Sequence, residues 1–324
     1  MKKHLFALIF CIIALSPLFG NTTWEKRAPL LAENSEMSVA QWGNKIFVFG
    51  GYPSTRETVG TVQVYDATTD RWQIEPPLPT PVNHSMAAAL EGKLYVVGGQ
   101  EKAGGKANKA QFQDLVQIYD IESKTWSEGS RMPTKRSGGG AAVIKGKIYV
   151  AGGQPPHGHD FAVYDPKANQ WTLLPKMPTA RNHIAVAAID DRLYVAGGRF
   201  GSGFRSEITA TLEVYDLKTS QWIIKRPMSM ARSGLNGIAV NGCFHTFGGE
   251  HPSAGSSGVF PNHEMYDPIT DKWTRLPDIP VPVHGVTGLA YINGWIHLPG
   301  GGTRMGGSSG SKHHQVVRSQ MQCR

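Results

Sequence analysis

The sequence predicts an all-β fold, a six-bladed β-propeller, from two regular spacings and one isolated fragment. A Tyr-Asp pair recurs five times, and each time a Trp follows seven residues after the Tyr. A Gly-Gly pair lies 26 residues after each of the first four of these Trp residues and 27 residues after the fifth. Repeats of about 50 residues are typical of four-stranded propeller blades. The five Trp residues are Trp72, Trp126, Trp171, Trp222 and Trp273.

Each repeat is predicted to contain four short strands. The first is small and apolar, as in Met86–Leu90, which suits the crowded innermost position of a blade. The second, as in Lys93–Val97, ends at the Gly-Gly pair, where the chain leaves the core with positive φ or close backbone approach. The third strand alternates in polarity and ends in Tyr-Asp. A hairpin turn, as between Asp165 and Trp171, then leads into the fourth strand.

An isolated Trp near the N-terminus indicates how the propeller closes. Trp24 lies 26 residues before Gly50, so the chain opens with the end of a repeat. The sixth repeat begins at His284 and reaches a third strand at His314–Arg318, but it has no Tyr-Asp and no Trp of its own. We therefore predict that the strand around Trp24 completes the last blade. Such closure removes the exposed strand edges that otherwise invite aggregation.

The spacing of Gly-Gly, Tyr-Asp and Trp resembles that of the kelch-repeat family over about residues 24–320. The resemblance implies a propeller in which these residues pack the blades, and it says little about function. Residues 1–20 are predicted to be a signal peptide, with Lys2 and Lys3 before an apolar run from Leu5 to Leu15. Residues 21–324 are predicted to be a single propeller domain. The protein is therefore expected in the periplasm or outside the cell.

Charge and cysteine content narrow the expected partners. The formal net charge is +8, which falls to +6 when Lys2 and Lys3 are removed, and no run of basic residues stands out. Nucleic-acid binding would need a basic stripe with stacking aromatics, so it is not expected. The apolar run is too short to span a membrane, and a monomer is expected. Cys243 and Cys323 predict a disulfide that fixes the C-terminal tail, with one buried and one exposed thiol as the alternative.

The candidate binding residues belong to loops that converge on one mouth of the central channel. Sixteen residues before the Gly-Gly pair, three consecutive repeats carry Arg, followed by Ser or Asn. Guanidinium groups gathered at one funnel repel one another unless an anion or carboxylate lies among them. The pattern favours an anion-binding mouth, and arginines that brace neighbouring blades through loop carbonyls are the alternative. The predicted binding residues are Arg136, Ser137, Arg181, Asn182, His183, Arg199, Arg232, Ser233, His284 and Arg304.

Resemblances to other kelch propellers suggest what such a mouth would bind. Animal kelch domains that capture acidic peptides use Arg-Ser and Arg-Asn pairs at matching places. The layout also resembles the periplasmic sialic-acid mutarotases, which implies that Glu250 is the catalytic residue that moves the anomeric proton. Copper oxidases of the galactose oxidase type share the fold but need a Tyr, His and Cys set that this sequence lacks. The expected partner is an anionic small molecule, a glycan or an acidic protein segment, bound with or without catalysis; a purely structural or adhesive module is the third alternative.

Three histidines raise the separate question of a metal. His84 and His183 share one repeat position, and His284 lies near it in the sixth repeat. Because alternate blades lie across the channel from one another, their short imidazoles are expected to remain apart. Neither a metal nor another cofactor is predicted. The Gly-rich stretch 300–311 lacks the features of a phosphate loop and is predicted to lie over the mouth.

Overall fold

The repeats form six four-stranded antiparallel sheets in the computed structural model, which describes residues 23–102, 110–319 and 321–323. The predicted leader, residues 1–20, lies outside the described residues. The prediction of an all-β, six-bladed propeller is confirmed. Within the described residues, helical structure is limited to the short 3-10 turn Pro252–Ala254, and no helix is long and apolar enough to cross a membrane.

The strands of each blade run outwards from the axis in chain order, except in the last blade. Blade 1 contains Met37–Trp42, Lys45–Phe49, Val62–Asp66 and Arg71–Glu75, and blade 2 contains Met86–Leu90, Lys93–Val97, Val116–Asp120 and Thr125–Glu128. Blade 3 contains Gly140–Ile144, Lys147–Ala151, Phe161–Asp165 and Gln170–Leu173, and blade 4 contains Ala185–Ile189, Arg192–Ala196, Leu212–Asp216 and Gln221–Lys225. Blade 5 contains Asn236–Val240, Cys243–Phe247, His263–Asp267 and Lys272–Leu276, and blade 6 contains Ala290–Ile292, Trp295–Pro299, His314–Arg318 and Trp24–Lys26. Two further pieces are a hairpin of Gln100–Lys102 with Ala110–Phe112 and the short strand Val286–Thr287.

The small residues of the innermost strands allow the blades to meet around the axis. Neighbouring innermost strands contact one another from blade to blade, and Val286–Thr287 pairs in parallel with the start of Met37–Trp42 to join blade 6 to blade 1. Gly237 shows how close this approach is, because a Cβ added there would lie 2.8 Å from the Cβ of Ala185 in the preceding blade. Larger side chains at such positions would push the blades apart.

The Trp of each blade ties it to the blade before it. Each indole Nε1 donates to a backbone carbonyl just after the fourth strand of the preceding blade, at 2.7–3.2 Å. Hydrophobic clusters fill the space between blades, and the repeated Tyr side chains lie buried in them. These positions are therefore architectural, as predicted. The donor and acceptor pairs are Trp24 with Pro277, Trp72 with Ala28, Trp126 with Pro76, Trp171 with Ser130, Trp222 with Pro175 and Trp273 with Arg226.

The N-terminal strand closes the ring as predicted. Trp24–Lys26 pairs antiparallel with His314–Arg318, with Trp24 opposite Val317. The tail beyond this strand is joined to blade 5, because Cys243 and Cys323 form a disulfide. Blade 6 is thus closed by pairing of the N-terminal strand with the strand His314–Arg318. The disulfide also links the segment after that strand to blade 5.

Candidate functional site

Arg136, Arg181 and Arg232 do not line the mouth, and this part of the sequence prediction is wrong. Each side chain is at most 1% exposed and enters the body of its blade. Arg136 donates to the carbonyls of Val150 and Asp160, both at 3.1 Å. Burial lowers the pKa of Arg136 and of Arg181 to about 10, so both remain charged at neutral pH. They act as braces, as in the alternative, but each side chain braces its own blade and not two neighbouring blades.

Arg181 and Arg232, unlike Arg136, pair with a buried carboxylate in addition to backbone carbonyls. Arg181 donates to Glu213 at 3.0 Å and to the carbonyls of Thr211 and Val195. Arg232 donates to Glu264 at 2.7 Å and to the carbonyls of Gly248 and Asn262. A guanidinium with several donors in a fixed fork suits this multiple bonding between strands.

The Ser and Asn residues that follow these arginines are buried behind the mouth as well. Ser137 donates to Gln100, Ser233 donates to the carbonyl of Glu250, and Asn182 donates to the carbonyls of Arg199 and Gly201. They fix the loops that follow each Gly-Gly pair. Their part in the site is therefore indirect, through the residues that those loops present.

A ring of left-handed backbone surrounds the axis immediately after these positions. Five hydrogen bonds of 2.6–3.0 Å run from residue to residue, each N–H donating to the carbonyl of the ring residue before it. All six residues have φ between 51° and 69°, a region that favours glycine. The axial ring consists of Glu36, His84, Gly138, His183, Gly234 and Gly285, one from each blade.

Three of the six ring positions carry side chains at a cost in backbone strain. A non-glycine residue in this conformation costs roughly 1–2 kcal/mol, and such strain is common at functional sites. The glycines between them leave room for these side chains. A Cβ added at Gly285 would lie 2.7 Å from Cδ of Glu36, and one added at Gly138 would lie 3.0 Å from Nδ1 of His183. The side chains of Glu36 and His183 therefore lie over glycines of the ring, and the ring of His84 packs against that of His183.

These inward side chains meet three others at the centre, and the expectation that the imidazoles remain apart is wrong. The ring centroids of His84 and His183 are 4.9 Å apart. Arg199 donates to Oε1 of Glu250 and to Nε2 of His183, both at 2.7 Å. The meeting is possible because the left-handed ring directs its side chains towards the axis. The axial cluster consists of Glu36, His84, His183, Arg199, Glu250 and His284, each at most 9% exposed.

Burial and the neighbouring charges set the protonation of the axial cluster. Burial lowers the pKa of His84, and burial together with the Arg199 guanidinium lowers the pKa of His183 well below its usual value. Burial acts to raise the pKa of Glu250, but His284 and Arg199 outweigh it and the pKa is lowered. His84 and His183 are therefore neutral and Glu250 is ionised at neutral pH.

A polar pocket of about 300 Å³ opens above the axial cluster. Glu36, His84, Arg199 and Glu250 reach it from below, and loop residues form its walls. The predicted loop over the mouth contributes through Gly306, whose N–H donates to Oε2 of Glu250 at 2.7 Å. Arg304 of the same loop is exposed, and its carbonyl accepts from Nε2 of His284 at 2.8 Å. The walls of this axial pocket include Tyr52, Arg56, Gln100, Gln154, Ser202, Phe204 and Gly307.

Of the predicted site residues, the structure brings together His183, Arg199, Glu250 and His284. Glu36 and His84 were not among the predicted binding residues, although their sequence position carries a signal. Counted from the Gly-Gly pairs, that position holds Gly in two blades, and the structure adds Gly285 as a third, so the Glu and His residues there replace glycine in a strained conformation. His284 was assigned one position too early, because blade 6 has an extra residue before its Gly-Gly pair. Its bridge to Gly302 corresponds to that of Ser233 with Glu250.

The fold and this arrangement of loops define a kelch-type propeller, and comparison with known proteins agrees. Residues 19–198 and 132–301 match the family model described as the KLHDC2/KLHL20/DRC7 Kelch-repeats domain. The chain belongs to the kelch-repeat family. Kelch propellers are for the most part interaction modules rather than enzymes.

Relatives and a solved structure show the same likeness. The chain is 32% identical over 287 residues to "Kelch-like protein terF" of Aspergillus terreus, covering 86% of this chain and 52% of that protein. It is 26% identical over 274 residues to "Beta-scruin" of Limulus polyphemus, covering 84% of this chain and 25% of that protein. The chain thus spans about half of the first relative's length and a quarter of the second. The solved "Structure of YjhT" has a TM-score of 0.75 at 16% identity, covering 90% of this chain and 97% of that one, which shows a shared fold.

Proposed function

We propose that the protein is a binding propeller whose axial pocket holds a small polar ligand of the sugar-acid class. The observation that carries this proposal is the pocket lining. The amides of Gln100 and Gln154 and the carboxylate of Glu250 face the same space as the aromatic ring of Phe204. Sites that orient a polyhydroxylated ligand combine a few fixed polar groups with an apolar or aromatic wall.

The balance of charge in the axial pocket selects among the anionic partners expected from the sequence. Arg136, Arg181 and Arg232 do not line this pocket, so its acidic side chains Glu36 and Glu250 face two basic ones, Arg199 and Arg56. Arg199 is already paired with Glu250, whereas Arg56 is exposed at the rim. We therefore assign the ligand's single carboxylate to Arg56 and its hydroxyls to the amides below. The end of an acidic glycan presents the same groups, whereas an acidic protein segment would add carboxylates beside Glu36 and Glu250.

The experiment compares an acidic sugar with its neutral counterpart by calorimetric titration. Glucuronate and sialic acid are expected to bind the wild type, and glucose is expected to bind more weakly. Arg56→Gln should weaken the acidic sugars by about tenfold, since a charge-assisted hydrogen bond contributes about 1.5–3 kcal/mol. Arg131→Gln is the matched control, because Arg131 is exposed and paired with Asp114 away from the pocket. Equal binding of acidic and neutral sugars, or an equal effect of the two substitutions, contradicts the assignment.

A mutarotase acting on the same ligand is the second candidate, and the position of Glu250 favours it. Its carboxylate is held at the pocket wall by Arg199 and by the N–H of Gly306. In mutarotation a base takes the proton of the anomeric hydroxyl while the ring C–O bond breaks and the ring oxygen takes a proton from water. The carbonyl so formed recloses from either face. If wild type does not speed anomer exchange, or if Glu250→Gln exchanges as fast as wild type, this candidate fails.

We also propose that the protein works in the periplasm or outside the cell. The basic and apolar pattern of residues 1–20 and the Cys243–Cys323 disulfide support this placement, because disulfides persist in oxidising compartments. Fractionation of cells that express the whole chain tests it, and recovery in the cytoplasm would be evidence against it.

A further inference from the structure

We propose that Glu36, Glu250 and His284 bind a divalent first-row transition-metal ion, such as Zn²⁺ or Mn²⁺, at the propeller axis. One ligand atom from each of these three buried residues lies within 4.8 Å of the other two. The inference rests on hydrogen bonding and geometry, and it does not require the sugar proposed above, although Glu250 belongs to both sites.

The hydrogen bond of His284 leaves a nitrogen lone pair directed at two carboxylates. Nε2 of His284 lies 2.8 Å from the carbonyl of Arg304, which can only accept, so Nε2 carries the proton. In the neutral imidazole that a bound metal ion would require, Nδ1 is then an acceptor. It lies 3.5 Å from Oε1 of Glu36 and 3.6 Å from Oε2 of Glu250, and it has no hydrogen-bond partner among the described residues. Nδ1 of His284 and the carboxylates of Glu36 and Glu250 thus face one another with lone pairs and with no proton between them.

His84 shows the same conflict on the other side of Glu36. The amide of Asn83 donates through Nδ2 to Thr58 and to the carbonyl of Gln100, which leaves its oxygen to accept from Nδ1 of His84. Nε2 of His84 is therefore a lone pair, and it lies 3.2 Å from Oε2 of Glu36. In the part of the chain that the structure describes, the Glu36 carboxylate accepts no hydrogen bond from an amide, hydroxyl or guanidinium group. A buried carboxylate that is surrounded by lone pairs is costly unless a cation compensates its charge.

His183 is the member of the axial cluster that we leave out of the site. It could form a second group with Glu36 and His84 by distance. However, its Nε2 already accepts from Arg199 at 2.7 Å, so this lone pair is occupied. Nδ1 of His284, in contrast, has no hydrogen-bond partner among the described residues and faces both Glu36 and Glu250, so we choose the group that contains it.

The spacing of the ligand atoms suits a tetrahedral ion with an open position. With metal–ligand bonds of about 2.1 Å, neighbouring ligands of a tetrahedral ion lie about 3.4 Å apart. The distances of 3.5 and 3.6 Å from His284 Nδ1 to the two carboxylate oxygens are within a few tenths of an ångström of that value. An imidazole with two carboxylates suits zinc, manganese or ferrous iron better than calcium or magnesium, which prefer oxygen ligands alone. Because Glu36 and Glu250 line the axial pocket, the fourth position faces it.

The test is metal binding by the full-length chain, stripped with EDTA and dialysed against Zn²⁺ or Mn²⁺ without any sugar. Wild type is expected to retain one equivalent. Glu36→Gln keeps the shape of the side chain, and His284→Asn removes the nitrogen ligand, so each should weaken binding by about tenfold or more. His157→Ala is the control for adventitious binding, since His157 and Asp160 form a separate pair at 2.8 Å. Circular dichroism shows whether each variant is folded.

Two results would overturn the inference. One is that folded wild type binds no metal, in which case His284 is an imidazolium that bridges the two carboxylates. The other is that Glu36→Gln binds as tightly as wild type while His157→Ala does not, which would place the ion on the surface. Glu36→Gln decides the question even if His284→Asn fails to fold.

Discussion

At the scale of single residues, Arg136, Arg181 and Arg232 occupy one repeat position but stabilise their blades in two different ways. Arg136 and Arg232 occupy equivalent places, and both are fully buried. Arg232 neutralises the buried carboxylate of Glu264, whereas Arg136 bonds only backbone carbonyls. Removing one partner of a buried ion pair leaves an uncompensated charge, while removing a lone buried cation also removes its own desolvation penalty.

We therefore expect Arg232→Met to destabilise the fold much more than Arg136→Met. The first should cost about 3–5 kcal/mol because the Glu264 carboxyl group is left buried without its partner, and the second about 1–2 kcal/mol for lost hydrogen bonds. Denaturant midpoints of the two variants measure the difference. The double variant Arg232→Met/Glu264→Leu should recover part of the loss, since it removes the stranded charge. Equal midpoints for the two single variants would contradict this account.

The same residues mark the limit of what the sequence could predict about the site. The repeat spacing located the positions of Arg136, Arg181 and Arg232 correctly, but side-chain direction is not a property of spacing. The side chains enter the blade because they donate hydrogen bonds to backbone carbonyls there. Two of them also donate to a buried carboxylate. Glu36 and His84 stand at a glycine position only after the structure has placed Gly285 in the axial ring, and only the left-handed backbone indicates that they point inwards.

At the scale of elements, the sequence predicted the blades almost completely because their packing repeats. Each Trp bonds the preceding blade, so its spacing reports the blade period directly. Blade 6 is where the prediction loses accuracy. One extra residue before Gly300 shifts His284 by a position, and the innermost strand there is split into Val286–Thr287 and Ala290–Ile292. A break of this kind follows from local backbone conformation, which no spacing reports.

The closing strand makes Trp24 different from the other five Trp residues. Trp24→Ala and Trp126→Ala remove the same indole bond to a preceding blade, and each should cost about 2–4 kcal/mol. Trp126 lies in a strand joined to its neighbour by a hairpin, whereas Trp24–Lys26 is held to His314–Arg318 by pairing alone. Only Trp24→Ala should therefore release an edge strand and promote aggregation.

Hydrogen exchange and light scattering measure this difference. Amides of His314–Arg318 should exchange faster in Trp24→Ala than in wild type, and they should stay protected in Trp126→Ala. Trp24→Phe keeps the ring against Phe247 and loses only the Nε1 donor, so its amides should remain largely protected. Equal exchange at His314–Arg318 in both alanine variants would show that closure does not depend on this strand.

At the scale of the whole molecule, buried histidines link stability to pH. Burial lowers the pKa of His245 and of His297 to about 4 and that of His314 to about 3. These residues lie in the strands of blades 5 and 6, next to the disulfide and the closing strand. Closure of the ring thus depends on groups that are neutral when folded and that take up protons when the chain unfolds.

The sign of the effect follows from where the protons bind. Below the ordinary histidine pKa of about 6.5, the unfolded chain binds protons that the folded chain excludes, so the free energy of unfolding falls as the pH falls. The loss continues down to the folded pKa values near 4 and 3, at up to about 1.4 kcal/mol per pH unit for each histidine. Acidic residues with a lowered pKa change protonation only below about pH 4. They therefore do not contribute between about pH 6.5 and pH 4, where the histidines act.

We expect the free energy of unfolding to be several kcal/mol lower at pH 5 than at pH 7.5, measured by denaturant titration at constant ionic strength with the disulfide intact. His297→Phe keeps a ring of similar size beside Tyr65 and removes one titrating group, so its pH dependence should be shallower than that of wild type by about one histidine's share. His313→Ala is the control, because His313 is exposed and should leave the slope unchanged. A wild type equally stable at both values would mean that the buried imidazoles are protonated in the folded state, and that their charge is neutralised within the blades.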